Sequence, residues 1–266
     1  TVLSSTEVTS VVTARGRAVG ILGRTEGGGA VRIDAERAVV LAASAVQTPV
    51  LLLASGITQG PVGRHFSAHP GVSMAGRFPD PVRMWEGASQ GHEVVGLRHE
   101  GLKFETLGLG IDLLGARLGG AGATLADKLE HLDRYADWGV AVRADAEGRV
   151  RSVRGRPVVT YRLTERDVAR FRRGLRVMGE MMFAAGAERV EPGVRGFRAV
   201  VDDPRDLVHL EHHGPRSSAS YTAAITHMFG TARIGGDPAH SVVRPDFRHH
   251  QVDRLYVADS STFPSN

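Results

Sequence analysis

A chain of 266 residues that is 42% hydrophobic, 23% charged and 6% aromatic has the make-up of a globular protein with one large core or two smaller ones, which excludes disorder and collagen. The charge, 33 basic against 29 acidic residues for a net +4, is mild. Arginines alternate with acids, as in Asp34-Ala35-Glu36-Arg37, instead of forming the positive stripe a nucleic-acid binder needs. No apolar run reaches the roughly 20 residues of a membrane-spanning helix, and the absence of cysteine removes disulfides, thiolate nucleophiles and cysteine-ligated metal centres while leaving the compartment open.

Residues 6 to 42 alternate β-branched runs with turn residues at Arg15-Gly16-Arg17 and Gly27-Gly28-Gly29, which predicts an antiparallel meander. Arg37 to Ala43 is an uninterrupted apolar strand of the kind buried on both faces. It runs into small residues and then a helix, for which Thr48 is the expected N-cap, Pro49 the first helical residue and Gly56 the stop. The start of such a helix offers free N–H groups to an anion such as a pyrophosphate. Residues 57 to 106, rich in Gly, Pro and His, read mostly as loop with short strands.

Leu107 to Tyr135 reads as two helices split at Gly119-Gly120 and Gly122, with Thr124 capping the second. Strands are expected at Gly139 to Arg143 and Pro157 to Leu163, flanking the turn at 145–148, with the arginines from Arg149 to Arg156 on a solvated hairpin. The clearest helix runs from Glu165 to about Ala185, capped by Thr164, with a buried stripe of Val168, Phe171, Leu175, Met178 and Met182. Thr1 is not an initiator methionine and Asn266 follows directly on a strand, so the chain reads as an interior piece of a longer protein.

Two stretches carry more than secondary structure. One is Ser44-Ala45-Val46-Gln47-Thr48-Pro49-Val50-Leu51-Leu52-Leu53-Ala54-Ser55-Gly56-Ile57. The other is His227-Met228-Phe229-Gly230-Thr231-Ala232-Arg233-Ile234-Gly235, followed by the strand Leu255 to Ala258 and Asp259-Ser260. The second resembles the carboxyl-terminal signature of the glucose-methanol-choline (GMC) oxidoreductases, where a histidine precedes Gly-Thr-x-Arg-x-Gly; the first resembles another signature of that family, departing at Thr58, where glycine is usual. Val62-Gly63-Arg64-His65-Phe66-Ser67-Ala68-His69-Pro70 is also similar to a family loop, with His65 in place of the common asparagine. In layout the middle of the chain is most similar to the branch acting on long-chain alcohols and sterols.

The resemblance implies an α/β fold: an incomplete FAD-binding Rossmann-like domain (residues 1–75, with 221–266 returning to it) and a substrate-binding domain (76–220) of antiparallel sheet and helices. It implies FAD as cofactor, a small-molecule alcohol as substrate, hydride transfer from its CH–OH group to flavin, and His227 as the base that takes the hydroxyl proton. Imidazole suits that task, being largely unprotonated near neutrality at its ordinary pKa of about 6.5. Val8, Ala43, Ser44, Asp259 and Ser260 are the implied cofactor contacts. Departures are the missing Gly-x-Gly-x-x-Gly fingerprint and the family's second active-site His or Asn, which would lie past the end of this chain. No motif separates oxygen, a quinone and a cytochrome as electron acceptor. Two alternatives remain: a histidine-ligated metal, with His209-Leu210-Glu211-His212-His213 the best cluster beside His65/His69, His240 and His249/His250, and a noncatalytic binding module, favoured if His227 is exposed and remote from any cleft.

Overall fold

The computed structural model describes residues 1–265. In chain order the elements are β1 (Thr6–Ala14), β2 (Arg17–Thr25), β3 (Ala30–Asp34), β4 (Val39–Leu41), α1 (Ser44–Ala54), β5 (Arg64–Arg77), β6 (Glu93–Val94) and β7 (Leu102–Thr106). There follow α2 (Ile111–Arg117), α3 (Gly122–Glu130), β8 (Tyr135–Val142), β9 (Gly148–Val153), β10 (Arg156–Thr160) and α4 (Glu165–Ala184). The last are β11 (Arg189–Glu191), α5 (Arg205–His213), β12 (Ala223–Phe229) and β13 (Leu255–Val257). These form two compact units: Thr1–Ala68, Ala146–Arg162 and His227–Asn266 make the first, and His69–Asp145 with Leu163–Thr226 the second.

In the first unit β1, β2 and β3 form the expected antiparallel meander. Its first hairpin turns at Arg15 and Gly16, both with positive φ, as the twist of a two-residue hairpin requires. β4 pairs in parallel with β13, and Val39, Leu41, Leu255 and Val257 point into one core with Leu52 and Val243. The expectation that this strand is buried on both faces is corrected: Val40 is 58% exposed, because β4 has β13 as its one strand partner among the described residues and a single face is covered. The β9–β10 hairpin turns at Arg154-Gly155 and carries its arginines exposed.

His249 and His250 are held inside this unit as structural groups. His249 is buried, and its Nδ1 accepts N–H bonds from Gln251 and Val252 at 3.2 and 3.1 Å, which puts the proton of the neutral ring on Nε2. Burial, with the neighbouring His250, pushes the His249 imidazole down to about 4. A group whose pKa falls on folding stabilises fully above its ordinary value of about 6.5, and that stability is lost as the pH drops toward 4; the difference is roughly 3 kcal/mol. Denaturant unfolding between pH 7 and pH 4 should show this loss, and His249→Asn, which keeps an acceptor but cannot titrate, should lessen it by that amount.

The second unit is built on the antiparallel order β5–β8–β7–β6, with β11 on the other edge of β5. The region read as loop therefore holds a 14-residue strand, β5. Its alternation is hidden because the buried positions include Ala68 and Pro70 beside Phe66, Val72 and Met74. Pro70 lies outside the ladders with β9, which ends at Phe66, and with β8, which starts at Gly71. Helix α4 forms as read, with Thr164 and Asp167 closing a reciprocal capping box and the five stripe residues at 0–1% exposure. Each of those side chains contributes roughly 1.5–3 kcal/mol of gross burial energy. Gly174 and Gly179 let α4 approach closely, since a Cβ would meet Val140 at 2.9 Å and Leu207 at 2.3 Å. The second of the two predicted helices starts earlier than read: Ala121 is the N-cap of α3, and Thr124 lies inside it.

Candidate active site

The first unit joins the two sequence stretches at the start of α1. Asp259, at the end of β13, accepts the Ser44 N–H at 3.1 Å and the Thr48 hydroxyl at 2.5 Å through Oδ2, while Oδ1 accepts Ser261 N–H at 2.7 Å. Thr48 Oγ1 in turn accepts the Ala43 N–H at 3.1 Å. One expectation is corrected by this junction: the helix begins at Ser44, so Thr48 and Pro49 lie inside it, and the Ala43 and Ser44 N–H groups are held by Thr48 Oγ1 and Asp259 Oδ2.

A proline within a helix leaves the carbonyl four residues back without its donor. For Pro49 that carbonyl is Ala45 O, and the buried Thr231 hydroxyl donates to it at 2.7 Å. Ala45 of one signature and Thr231 of the other, 186 residues apart, thus share the hydrogen bond that Pro49 cannot make. The segment after His227 runs beside the turn at Ser260–Thr262: Gly230, Ala232 and Ile234 donate N–H bonds to the carbonyls of Ser260, Ser261 and Thr262, and Phe229 stacks on Phe263 at 5.6 Å between ring centres. Gly230 has φ +87 and packs so closely that a Cβ would lie 2.2 Å from His65 O.

His227 is exposed, which meets the first of the two conditions set for a noncatalytic binding module, and it has φ +50, a left-handed conformation inside strand β12. Its neighbour Met228 packs on Val50, Phe66, Ala68 and Val150. His65 has φ +57 and Ser44 φ +80, so the three chemistry-bearing positions of the two signatures and the intervening loop share this uncommon backbone. Asparagine and histidine are the side chains that enter this region most readily besides glycine, which explains why His65 can stand where the family has asparagine. Its Nδ1 lies 2.9 Å from the Glu147 carboxylate.

Of the implied cofactor contacts, the junction gathers Ala43, Ser44, Asp259 and Ser260, with Ser44 exposed. Val8 lies elsewhere: β1 packs on the far end of α1, where Val11 N–H bonds Ser55 Oγ at 2.7 Å, and an 11-residue helix is about 16 Å long. The sequence reads Thr48 only as an N-cap, Thr231 only as part of a motif and Glu147 only as a turn residue; a proline within a helix is the local signal that a donor such as Thr231 must exist. The junction suits a flavin dinucleotide in two respects. Ala42, Ala43 and Ser44 leave the main chain approachable, and Ser261 Oγ is buried without a hydrogen bond among the described residues, an orphan beside the implied cofactor edge.

Among the described residues no group of three or more His, Asp or Glu side chains is placed to hold a metal ion. His209 and His213 lie with ring centres 4.8 Å apart on α5, and His250 Nε2 lies 2.8 Å from Ser241 Oγ. Among the described residues no helix is long and apolar enough to cross a membrane.

A mixed α/β fold with an antiparallel sheet, a strand-to-helix junction closed by an aspartate and a histidine-bearing strand define a flavoprotein oxidoreductase class. The chain matches the GMC oxidoreductase family over residues 1–71 and 144–266, and it belongs to that family, whose members are FAD-binding flavoproteins. An uncharacterised GMC-type oxidoreductase of Mycobacterium tuberculosis is 33% identical over 99% of this chain and 42% of its own length. A long-chain-alcohol oxidase of Arabidopsis thaliana is 24% identical over 85% of this chain and 32% of its own length. Among solved structures, pyridoxine 4-oxidase from Mesorbium loti superposes with a TM-score of 0.65 at 18% identity, over 98% of this chain and 53% of that one. A formate oxidase of Aspergillus oryzae gives 0.68 at 16% identity, over 98% and 56%. The chain spans well under half the length of the curated relatives described above and about half that of the solved structures.

Proposed function

We propose that the whole protein is an FAD-dependent oxidoreductase that oxidises the CH–OH group of a small-molecule alcohol, with His227 as the base. The observation that carries the reading is the backbone of His227: an exposed imidazole fixed in a left-handed conformation within a strand, at a cost of about 1–3 kcal/mol that no turn requires. Bound FAD would supply the acceptor for the hydride of the substrate's CH–OH group. His227 Nε2 or Nδ1 takes the hydroxyl proton, and the resulting imidazolium offsets the developing alkoxide charge. Ala43 and Ser44 on one side and Asp259 and Ser260 on the other hold the cofactor's ribityl and phosphate region. Val8, paired with Gly23 beside a register shift in the edge strand β1, contacts the adenine end. Residues 1–75 and 221–266 serve the cofactor and 76–220 the substrate.

The test is anaerobic mixing of the purified holoenzyme with a long-chain primary alcohol and with a sterol. Bleaching of the visible flavin band by either supports the reading. A protein without a flavin band, or one whose band no alcohol bleaches, overturns it, and stoichiometric zinc by elemental analysis would put the metal alternative in its place.

A further inference from the structure

In the first unit the β9–β10 hairpin and its flank, from Gly148 to Arg162, hold Arg149, Arg151, Arg154, Arg156 and Arg162 and no acid. All five arginines are exposed, and none of their side chains has an ion pair or a hydrogen bond among the described residues. Elsewhere in this unit exposed arginines pair with acids, as Arg17 with Asp253, Arg32 with Asp34 and Arg248 with Asp246. Glu147, the acid that precedes the hairpin, lies 2.9 Å from His65 Nδ1. Residues opposite one another in an antiparallel pair share a face. Val150, opposite Val159, points inward and is fully buried with Val50, Phe66 and Ala68. The register then puts the pairs Arg149–Thr160, Arg151–Val158 and Val153–Arg156 on the outward face, and all six residues are exposed.

On that face Arg149 stands two residues from Arg151, and Arg156 lies diagonal to Arg151, separations of about 7–8 Å. These lie within the ~8 Å Debye length of physiological salt, so the guanidinium groups repel. A face that meets only water intersperses both signs of charge. This one instead interleaves its cations with Val153, 51% exposed, and Val158, 39% exposed. Such a mixture suits the surface of an anionic bilayer, where arginines meet lipid phosphates and carboxylates and small apolar side chains reach past the headgroups. A nucleic acid would use the arginines but not the valines, and the face has no aromatic side chain on which a base could stack. Pro157 and Arg156 on the edge strand β10 discourage the addition of a partner strand. We propose that the outward face of this hairpin binds the surface of a membrane containing anionic phospholipids, as a peripheral contact that needs no membrane-spanning segment. The proposal stands apart from the redox reading, and its failure would leave that reading untouched.

The probe is vesicles of phosphatidylcholine and phosphatidylserine in equal parts, sedimented with the purified holoenzyme; phosphatidylcholine vesicles and a short DNA duplex are the comparisons. Each arginine near an anionic surface strengthens binding about fivefold, so Arg151→Gln combined with Arg156→Gln is expected to weaken binding to the mixed vesicles about 25-fold. Val153→Thr combined with Val158→Thr weakens it at least about threefold through the lost apolar contact. Arg205→Gln, which removes an exposed arginine of the second unit, leaves it unchanged. Raising the salt from about 0.1 M to about 1 M, where the Debye length falls to ~3 Å, releases the protein. The substituted side chains are exposed, and unchanged thermal unfolding shows that the variants fold. No binding to the mixed vesicles, equal binding to phosphatidylcholine alone, indifference to either double variant, or tighter binding of DNA than of vesicles at the same salt overturns the proposal.

Discussion

If His227 is the base proposed above, His227→Asn in the holoenzyme is expected to lower the rate constant for anaerobic flavin reduction by an alcohol about 10²- to 10⁴-fold while the flavin spectrum and the melting temperature stay as they were. The size is what a positioned general base supplies. Asparagine is the better replacement, because His227 sits at φ +50 and alanine there adds backbone strain to the loss of the base. Asparagine tolerates the left-handed region and has no site that accepts a proton near neutrality. His227 is exposed, so a substitution there removes little packing. Stopped-flow absorbance measures the rate, and a reduction rate within about threefold of the unaltered enzyme would sink the assignment. A fall in rate with loss of flavin would instead show that His227 helps to hold the cofactor.

What was legible in the sequence is what local rules determine. The α4 stripe from Val168 to Met182 and the Thr164–Asp167 capping box depend on spacings of three and four residues, and both formed as read. So did the Arg15-Gly16 turn. The start of α1 was misplaced because its determinants are distant: Ser44 N–H and the Thr48 hydroxyl are satisfied by Asp259, 215 and 211 residues away, and the carbonyl behind Pro49 is satisfied by Thr231. Local propensity saw only a Thr-Pro pair and placed the helix start there. β5 was missed because Gly, Ala, Ser, Pro and His give no apolar period, although burial alternates along it. For the candidate site, the motifs single out His227, Ser44 and Asp259 by resemblance, but residue type alone does not reveal the left-handed backbone of His65 and His227. The ion pairs of the buried acids Asp137 and Glu191 are created by topology, through Arg117 and Lys128 on other elements.

Lys128→Met is expected to destabilise the second unit by about 3–5 kcal/mol, the cost of leaving a buried charge without its partner. The Lys128 side chain is 8% exposed, and its Nζ donates to Glu191 Oε2 at 2.6 Å and to Gly119 O at 2.7 Å. Once the ammonium is gone, the buried Glu191 has both oxygens unpaired. Methionine fills much the same volume, so the loss is electrostatic and not a packing defect. Adding Glu191→Gln to Lys128→Met should then recover most of the stability, since it removes the stranded charge. The exposed pair Arg205 and Asp203 is the contrasting case: Arg205 holds the Asp203 carboxyl down at about 2, yet both groups stay in water and Arg205→Met should leave the unfolding midpoint unchanged. Chemical denaturation monitored by the tryptophans Trp85 and Trp138, which belong to the second unit, reports the difference. A loss below about 1 kcal/mol in Lys128→Met, or no recovery in the double variant, would mean that the buried pair is not what holds α3 to β11.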